Sequence, residues 1–194
     1  ACLNLNGDGI MGYVEIPKIA IKIPIFHGTS NEVLQIGAGH LEGSSLPVGG
    51  ESTHSVISAH RGLPSNSLFT DLDKLEEKDH FYIKVLDQTL AYEVDQILVV
   101  EPEDTEALAV VDGKDYMTLL TCTPYAVNTQ RLLVRGHRVE YVEGMVEEEE
   151  VPLAAISLRT NYTLWVVVGM AVTIAFIAGL FCLDRYLRKK DSKA

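Results

Sequence analysis

The amino-acid sequence predicts a mainly β domain, a barrel or a sandwich, followed by one C-terminal transmembrane helix. Two observations lead to this prediction. Residues 10–142 contain many short runs rich in β-branched residues, with turn-forming residues between them and few helical patterns. Residues 164–183 form a run without a single charge, long enough for a helix to span the ~30 Å core of a bilayer.

The strands are predicted from alternating or β-branched runs. Residues 12–16 form the first strand, and the Ile-rich stretch 17–28 contains prolines, which break strands or confine them to sheet edges. Further strands are predicted at residues 54–59, 81–86, 90–100, 116–121 and 132–141. Residues 87–89 are predicted to turn the chain between two of these strands and so make a hairpin.

Two short helices are predicted within the domain. One lies at residues 33–41. The other lies at residues 67–75, where Leu68, Leu72 and Leu75 share one helical face. Both are minor elements, so the domain stays mainly β.

The flanks of the uncharged run predict its orientation. Tyr162 and Trp165 mark one membrane interface, and residues 184–194 carry a net charge of +3. Because positive charge favours the cytoplasmic side, the tail is expected in the cytoplasm and residues 1–163 outside the cell. Four consecutive glutamates at 147–150 open a stretch that is expected to be solvated and extended.

These patterns divide the chain into five predicted segments. They are an N-terminal segment 1–9, the β domain 10–146, an acidic linker 147–163, the transmembrane helix 164–183 and a basic cytoplasmic tail 184–194. Residues 1–146 have a net charge of −11 without a basic stripe, which argues against binding to nucleic acid, because phosphates need clustered Lys and Arg.

The three cysteines, Cys2, Cys122 and Cys182, have no spacing typical of a zinc site. Cys2 is near the N-terminus and Cys182 lies in the predicted membrane helix, so Cys122 is expected to be a single thiol in the β domain. A lone cysteine after an apolar strand is more often a small buried hydrophobe than a nucleophile. On the outer face of a membrane, however, a free thiol is a hazard, and its presence there calls for a functional reason.

Two further residues favour a reactive Cys122. If strands 116–121 and 132–141 form a hairpin, the loop 123–130 brings Cys122 and Arg131 to the same rim of the sheet. An acyl-transfer thiol also needs a proton donor and acceptor. Of six histidines, His60 is the best placed, because it lies where the predicted strand 54–59 meets a loop rich in Gly, Pro and Ser.

These motifs resemble those of the sortases, the cysteine transpeptidases of Gram-positive cell surfaces. TLLTC at 118–122 followed by TPYAVNTQRLLVRGHR is similar to the sortase signature, ISAHRG at 57–62 to the histidine motif, and GYVEIPKI at 12–19 to the first strands. The resemblance covers roughly residues 9–142 and is greatest to class C, the pilin-polymerising sortases. It implies a closed sortase-type β-barrel. Class C enzymes commonly carry an N-terminal lid with an Asp-Pro-aromatic motif, and this sequence departs from that pattern, since Asp8 is followed by Gly9. The expectation is either a lid upstream of Ala1 or an enzyme without one.

The resemblance also implies roles for three residues. Cys122 would be the nucleophile that attacks the threonine carbonyl of an LPxTG-like sorting signal and forms a thioester. His60 would protonate the leaving amine and later deprotonate the incoming one, and Arg131 would donate hydrogen bonds to the substrate carbonyl or the oxyanion. The acceptor in class C is a lysine amine of the next pilin subunit.

Two other functions remain open from the sequence. The chain could be a sortase that attaches proteins to the cell-wall precursor, or a surface-binding domain that has the fold without the activity. No cofactor is expected. The acidic residues Glu101, Glu103, Asp104 and Glu106 are close in sequence, but they are expected to be solvated and not to bind calcium.

Overall fold

The computed structural model describes residues 3, 7–62, 68–142, 170 and 173. The chain divides into two units, residues 1–147 and 148–194. The first unit contains eight strands: β1 Ile10–Ile16, β2 Ile21–His27, β3 Ala38–His40, β4 Thr53–Ser58, β5 His80–Val85, β6 Gln88–Val100, β7 Asp115–Thr123 and β8 Gln130–Val139. One α-helix, α1 Asn31–Ile36, and three short 3-10 helices, Pro17–Ile19, Leu72–Lys74 and Glu106–Leu108, complete it. The predicted mainly β class with a few short helices is confirmed.

The eight strands form a closed barrel in the order β1-β2-β3-β4-β7-β8-β6-β5. Of the sequence-based alternatives, barrel or sandwich, the barrel is therefore correct. Two neighbouring pairs, β2–β3 and β4–β7, run parallel, and the others run antiparallel. Closure leaves no unpaired sheet edge in the barrel.

Apolar side chains fill the barrel because successive residues of a strand point to opposite faces of the sheet. Phe81 and Tyr92, on β5 and β6, stack inside with ring centroids 5.6 Å apart. Other fully shielded side chains include Ile16, Ile25, Ile57, Phe69, Leu72 and Leu119. Burial of each large apolar side chain contributes about 1.5–3 kcal/mol to folding.

The helix predicted at residues 33–41 is only partly correct. The observed helix, α1, begins at Asn31 and ends at Ile36. The Ser30 hydroxyl caps its start by accepting a hydrogen bond from the Val33 amide. Gly37 then passes so close to β2 that a Cβ there would lie 2.7 Å from the Pro24 carbonyl oxygen. The chain leaves the helix at this point and continues as β3, since parallel pairing with β2 replaces the helical hydrogen bonds.

The helix predicted at 67–75 is a turn followed by the 3-10 helix Leu72–Lys74 in its described part, residues 68–75. The predicted apolar face is nevertheless present, because Leu68, Leu72 and Leu75 are all buried in the core. The predicted hairpin turn at 87–89 is one residue too late. β6 already begins at Gln88, and Leu86, with a φ of 53°, makes the turn with Asp87.

No helix in the described part of the chain is both long and apolar enough to cross a membrane. The linker, the transmembrane helix and the tail predicted at 147–194 lie outside the described residues except for Met170 and Thr173, which are helical.

Candidate active site

The parallel pairing of β4 with β7 brings two distant parts of the chain to one edge of the barrel. Ser58 is opposite Leu120 at the end of the ladder, and the Ala59 amide donates to the Leu120 carbonyl at 3.1 Å. The buried Thr121 hydroxyl returns a hydrogen bond to the Ala59 carbonyl at 2.8 Å. Since both strands run in the same direction, His60, two residues beyond Ser58, comes next to Cys122, two residues beyond Leu120 and still within β7.

The β7–β8 hairpin predicted from the sequence is confirmed, with a loop of residues 124–129. Cys122 and Arg131 are directly opposite each other in its antiparallel register. Arg131 Nη1 donates to the carbonyl oxygens of Asn128, at 3.3 Å, and Gln130, at 3.0 Å. These bonds fix the guanidinium at the base of the loop, whereas its Nε and Nη2 have no protein partner among the described residues.

His60, Cys122 and Arg131 line one cavity of about 360 Å³ on the outer face of the barrel. The three residues singled out in the sequence are thus brought together. All three side chains are partly exposed, and Cys122 is a free thiol. A partly exposed thiol beside an imidazole and a guanidinium is the kind of environment in which cysteines react, in contrast to a sealed, inert core thiol.

Most of the other cavity walls are apolar. One wall comes from the α1 region and the loop after β3, another from the connection between β6 and β7, and the floor from β7 and β8. The apolar lining residues are Leu34, Leu41, Ala59, Val100, Pro102, Leu108, Leu120 and Leu133. The sequence had not identified these residues, because the walls come from segments far apart along the chain.

The acidic stretch 101–106 contributes to this site. Asp104 lines the cavity, and the Glu101 carboxylate accepts a hydrogen bond from Gln130 Nε2 at 2.9 Å. Among the described residues, no group of three or more His, Cys, Asp or Glu side chains is arranged to hold a metal ion.

The other five histidines, all in described parts of the chain, do not line the cavity. The most buried is His54, which is 1% exposed. Its Nδ1 lies 3.0 Å from the Ala109 carbonyl oxygen and its Nε2 lies 2.7 Å from the Thr118 hydroxyl. Burial lowers the pKa of His54, against a smaller opposing effect of the Ala109 carbonyl. The neutral ring thus ties the β6–β7 connection, which forms a cavity wall, to β7.

Arg61 was overlooked in the sequence, although it directly follows His60 in the HRG motif. Its side chain is 7% exposed and forms an ion pair with Asp73. Its Nε donates to the Thr70 carbonyl at 3.1 Å and its Nη1 to the Thr123 hydroxyl at 3.0 Å. The signal that could have identified it is a basic residue directly after the candidate histidine, at the start of a loop otherwise rich in Gly, Pro and Ser.

Comparisons of the sequence with known proteins find relatives of one kind. A family model described as a sortase domain matches residues 14–139. The chain is 31% identical to Sortase A of Streptococcus agalactiae serotype III over 156 residues, which cover 78% of this chain and 62% of that protein. It is 30% identical to Sortase D of Bacillus subtilis over 131 residues, covering 66% and 63%. The chain therefore spans less than two thirds of the length of these relatives.

Solved structures resemble it more strongly. Sortase C1 of Streptococcus agalactiae is 61% identical, with a TM-score of 0.71 and 72% of each chain covered. Sortase C of Streptococcus pneumoniae, whose structure is described in terms of catalysis and pilin substrate specificity, is 60% identical, with a TM-score of 0.68 and coverage of 69% and 70%.

Proposed function

The chain belongs to the sortase family, and we propose that it is a class C sortase, a cysteine transpeptidase that joins pilin subunits. The observation that carries this proposal is the single cavity shared by Cys122, His60 and Arg131. Identities of 57–61% to sortase C structures support the pilin-polymerising class.

The first half of the reaction forms a thioester. The Cys122 sulfur, as thiolate, attacks the threonine carbonyl carbon of an LPxTG-like sorting signal, and the carbonyl oxygen becomes an oxyanion. Arg131 Nε and Nη2 are available to donate to that oxygen, which stabilises the charge where it develops. When the Thr–Gly bond breaks, the His60 imidazolium gives its proton to the leaving glycine amine.

The second half transfers the acyl group. The incoming lysine amine of a pilin subunit attacks the thioester carbonyl carbon, and His60, now neutral, takes the proton that the amine loses. The carbon–sulfur bond breaks, an isopeptide bond forms and the thiolate returns. The apolar walls of the cavity suit the leucine and proline of the sorting signal, which lose contact with water on binding.

The proposal is tested by mass spectrometry on the full-length protein after incubation with an LPxTG-type peptide. We expect the peptide that contains Cys122 to gain the acyl part of the signal, up to its threonine, and Cys122→Ala to gain nothing. Addition of a pilin domain should then give an isopeptide-linked product. A product with a wall-precursor amine instead would assign the chain to wall attachment, and no adduct at all would leave it a non-catalytic binding domain.

We further propose that the protein is anchored in the cell membrane by residues 164–183, with the catalytic domain outside. The uncharged run and the basic tail after it support this arrangement. Alkaline extraction of membranes tests it, because an integral anchor resists extraction. The full chain should stay with the lipid and a chain ending at residue 146 should be released, and release of both would refute the anchor.

A further inference from the structure

Arg61 connects the two segments that carry the reactive groups. It follows His60 directly, whereas the Thr123 hydroxyl that it binds at 3.0 Å belongs to the residue directly after Cys122. The same guanidinium holds the Thr70 carbonyl and the Asp73 carboxylate. One buried group is thus attached both to the histidine segment and to the residue that follows the thiol.

The histidine segment is held on the core side as well. The Phe69 amide donates to the His60 carbonyl at 3.1 Å, and the Gly62 amide donates to the Thr70 hydroxyl at 3.1 Å. Phe69 is fully buried, so the backbone that holds His60 is anchored in the barrel core. Arg61 adds a second side-chain bond between this anchored segment and the end of β7, beside the bond from the Thr121 hydroxyl to the Ala59 carbonyl.

The loop after Cys122 also packs against the histidine segment. The Arg61 guanidinium lies 6.0 Å from the centroid of the Tyr125 ring. A Cβ on Gly62 would lie 2.8 Å from the same ring, so the ring and the Gly62 backbone are in close contact. The planar guanidinium lies among Thr123, Tyr125 and Asp73, and its several fixed donors suit this arrangement better than the single ammonium of lysine would.

We propose that Arg61 is a positioning residue that sets the distance and orientation of the His60 imidazole relative to the Cys122 thiol. This inference rests on the proposed transpeptidase function. Arg61 acts through its bond to Thr123 and its hold on the 70–73 segment. Misplacement of a catalytic group by about 1 Å can lower a rate on the order of 100-fold.

The experiment compares Arg61→Ala, Arg61→Lys and Thr123→Val in the full-length protein. Three quantities are measured: kcat and KM with an LPxTG-type peptide, the rate at which iodoacetamide alkylates the Cys122-containing peptide as a function of pH, and Tm. For Arg61→Ala we expect kcat to fall on the order of 100-fold with KM nearly unchanged. We also expect the alkylation profile to move towards that of His60→Ala, because the imidazole no longer accompanies the thiol. Arg61→Lys should restore only part of the loss.

Arg135→Ala is the matched control. Arg135 is also largely buried and forms two hydrogen bonds to a carboxylate, that of Asp95, but it does not line the cavity. It should lower Tm comparably and leave kcat and the alkylation profile close to those of the wild type. If Arg61→Ala matches Arg135→Ala in kcat and in the alkylation profile, the positioning role is refuted.

Two outcomes separate this inference from its premise. Thr123→Val removes the hydrogen bond between Arg61 and the residue after Cys122 but keeps the arginine. This variant therefore tests the positioning role even if Arg61→Ala does not fold. A wild-type alkylation profile in Thr123→Val refutes the positioning role. If the wild-type protein does not process any sorting peptide, the proposed function fails. The alkylation profile still reports whether Arg61 controls the thiol's surroundings.

Discussion

Cys122 and Arg131 face each other as directly paired residues near the loop end of the β7–β8 ladder, one position before the last pair, Thr123 and Gln130. The sheet therefore fixes the two backbone positions from which the thiol and the guanidinium extend. Arg131 is further held by the Asn128 and Gln130 carbonyls, which both accept hydrogen bonds from its Nη1. Its Nε and Nη2 have no protein partner among the described residues.

Replacement of Arg131 by lysine should cost most of the activity although the charge is kept. A lysine ammonium cannot bind two loop carbonyls and an oxyanion with the fixed geometry of a guanidinium. We expect kcat to fall by about 10²–10³, the usual cost of losing one oxyanion donor. Peptide-cleavage kinetics measure this, with Arg135→Lys as the control outside the cavity. Activity of Arg131→Lys equal to that of the control would contradict an oxyanion role.

Replacement of His60 by alanine should lower kcat by about 10²–10⁴, the typical contribution of a positioned acid–base group. Cys122 would remain, so slow thioester formation should still be detectable by mass spectrometry, in contrast to Cys122→Ala. His27→Ala is a useful control, because His27, at the end of β2, does not line the cavity. Equal rates for His60→Ala and His27→Ala would remove His60 from the mechanism.

Replacement of Gly62 by alanine should destabilise the domain more than the same change at Gly113. Both glycines have a positive φ, 83° and 71°, so each alanine costs about 1–2 kcal/mol in backbone strain. Only the Gly62 Cβ would also collide with the Tyr125 ring, whereas the space around Gly113 is open. Urea unfolding of the two variants gives the difference in free energy of unfolding. Tyr125→Ala should recover part of it in the Gly62→Ala background, and no recovery would show that the collision is not its cause.

The buried His54 should make the domain less stable in acid. Because burial lowers its folded-state pKa below the unfolded value of 6.5, the unfolded chain binds more protons there. His54 therefore contributes stability that is complete above the unfolded pKa and is lost as pH falls from it towards the folded pKa. The slope is at most about 1.4 kcal/mol per pH unit.

Urea unfolding at a series of pH values measures this dependence in the wild type and in His54→Gln, which has no titratable ring. We expect a shallower loss in the variant below the unfolded pKa of His54. Parallel curves would show that another group is responsible. His80→Gln is the control, since His80 is partly exposed and near Glu93.

The local parts of the site could be predicted from the sequence, and the long-range parts could not. The β7–β8 hairpin is closed by a six-residue loop, so strand patterns and turn residues were enough to place Cys122 opposite Arg131. His60 was identified from its position at the end of a strand. Its proximity to the thiol, however, depends on a parallel pairing between β4 and β7, and no pattern in either strand specifies that partner.

Tertiary contacts also decided the elements that were predicted incorrectly. Residues 38–40 fall within the helix predicted at 33–41 but pair with β2, and residues 68–75 keep their buried leucines without forming an α-helix. Arg61 has partners up to 62 positions away in the chain, so its burial could not be inferred from its neighbours.

The strand order of the barrel has a consequence for when the protein becomes reactive. β8 is the last strand of the barrel in the sequence, yet it lies between β7 and β6. A growing chain cannot place a guanidinium beside its thiol until that strand has left the ribosome and inserted itself. During most of its synthesis the nascent protein is therefore expected to lack the guanidinium beside its thiol. The reactive site should form in one late step, when β8 pairs with its neighbours.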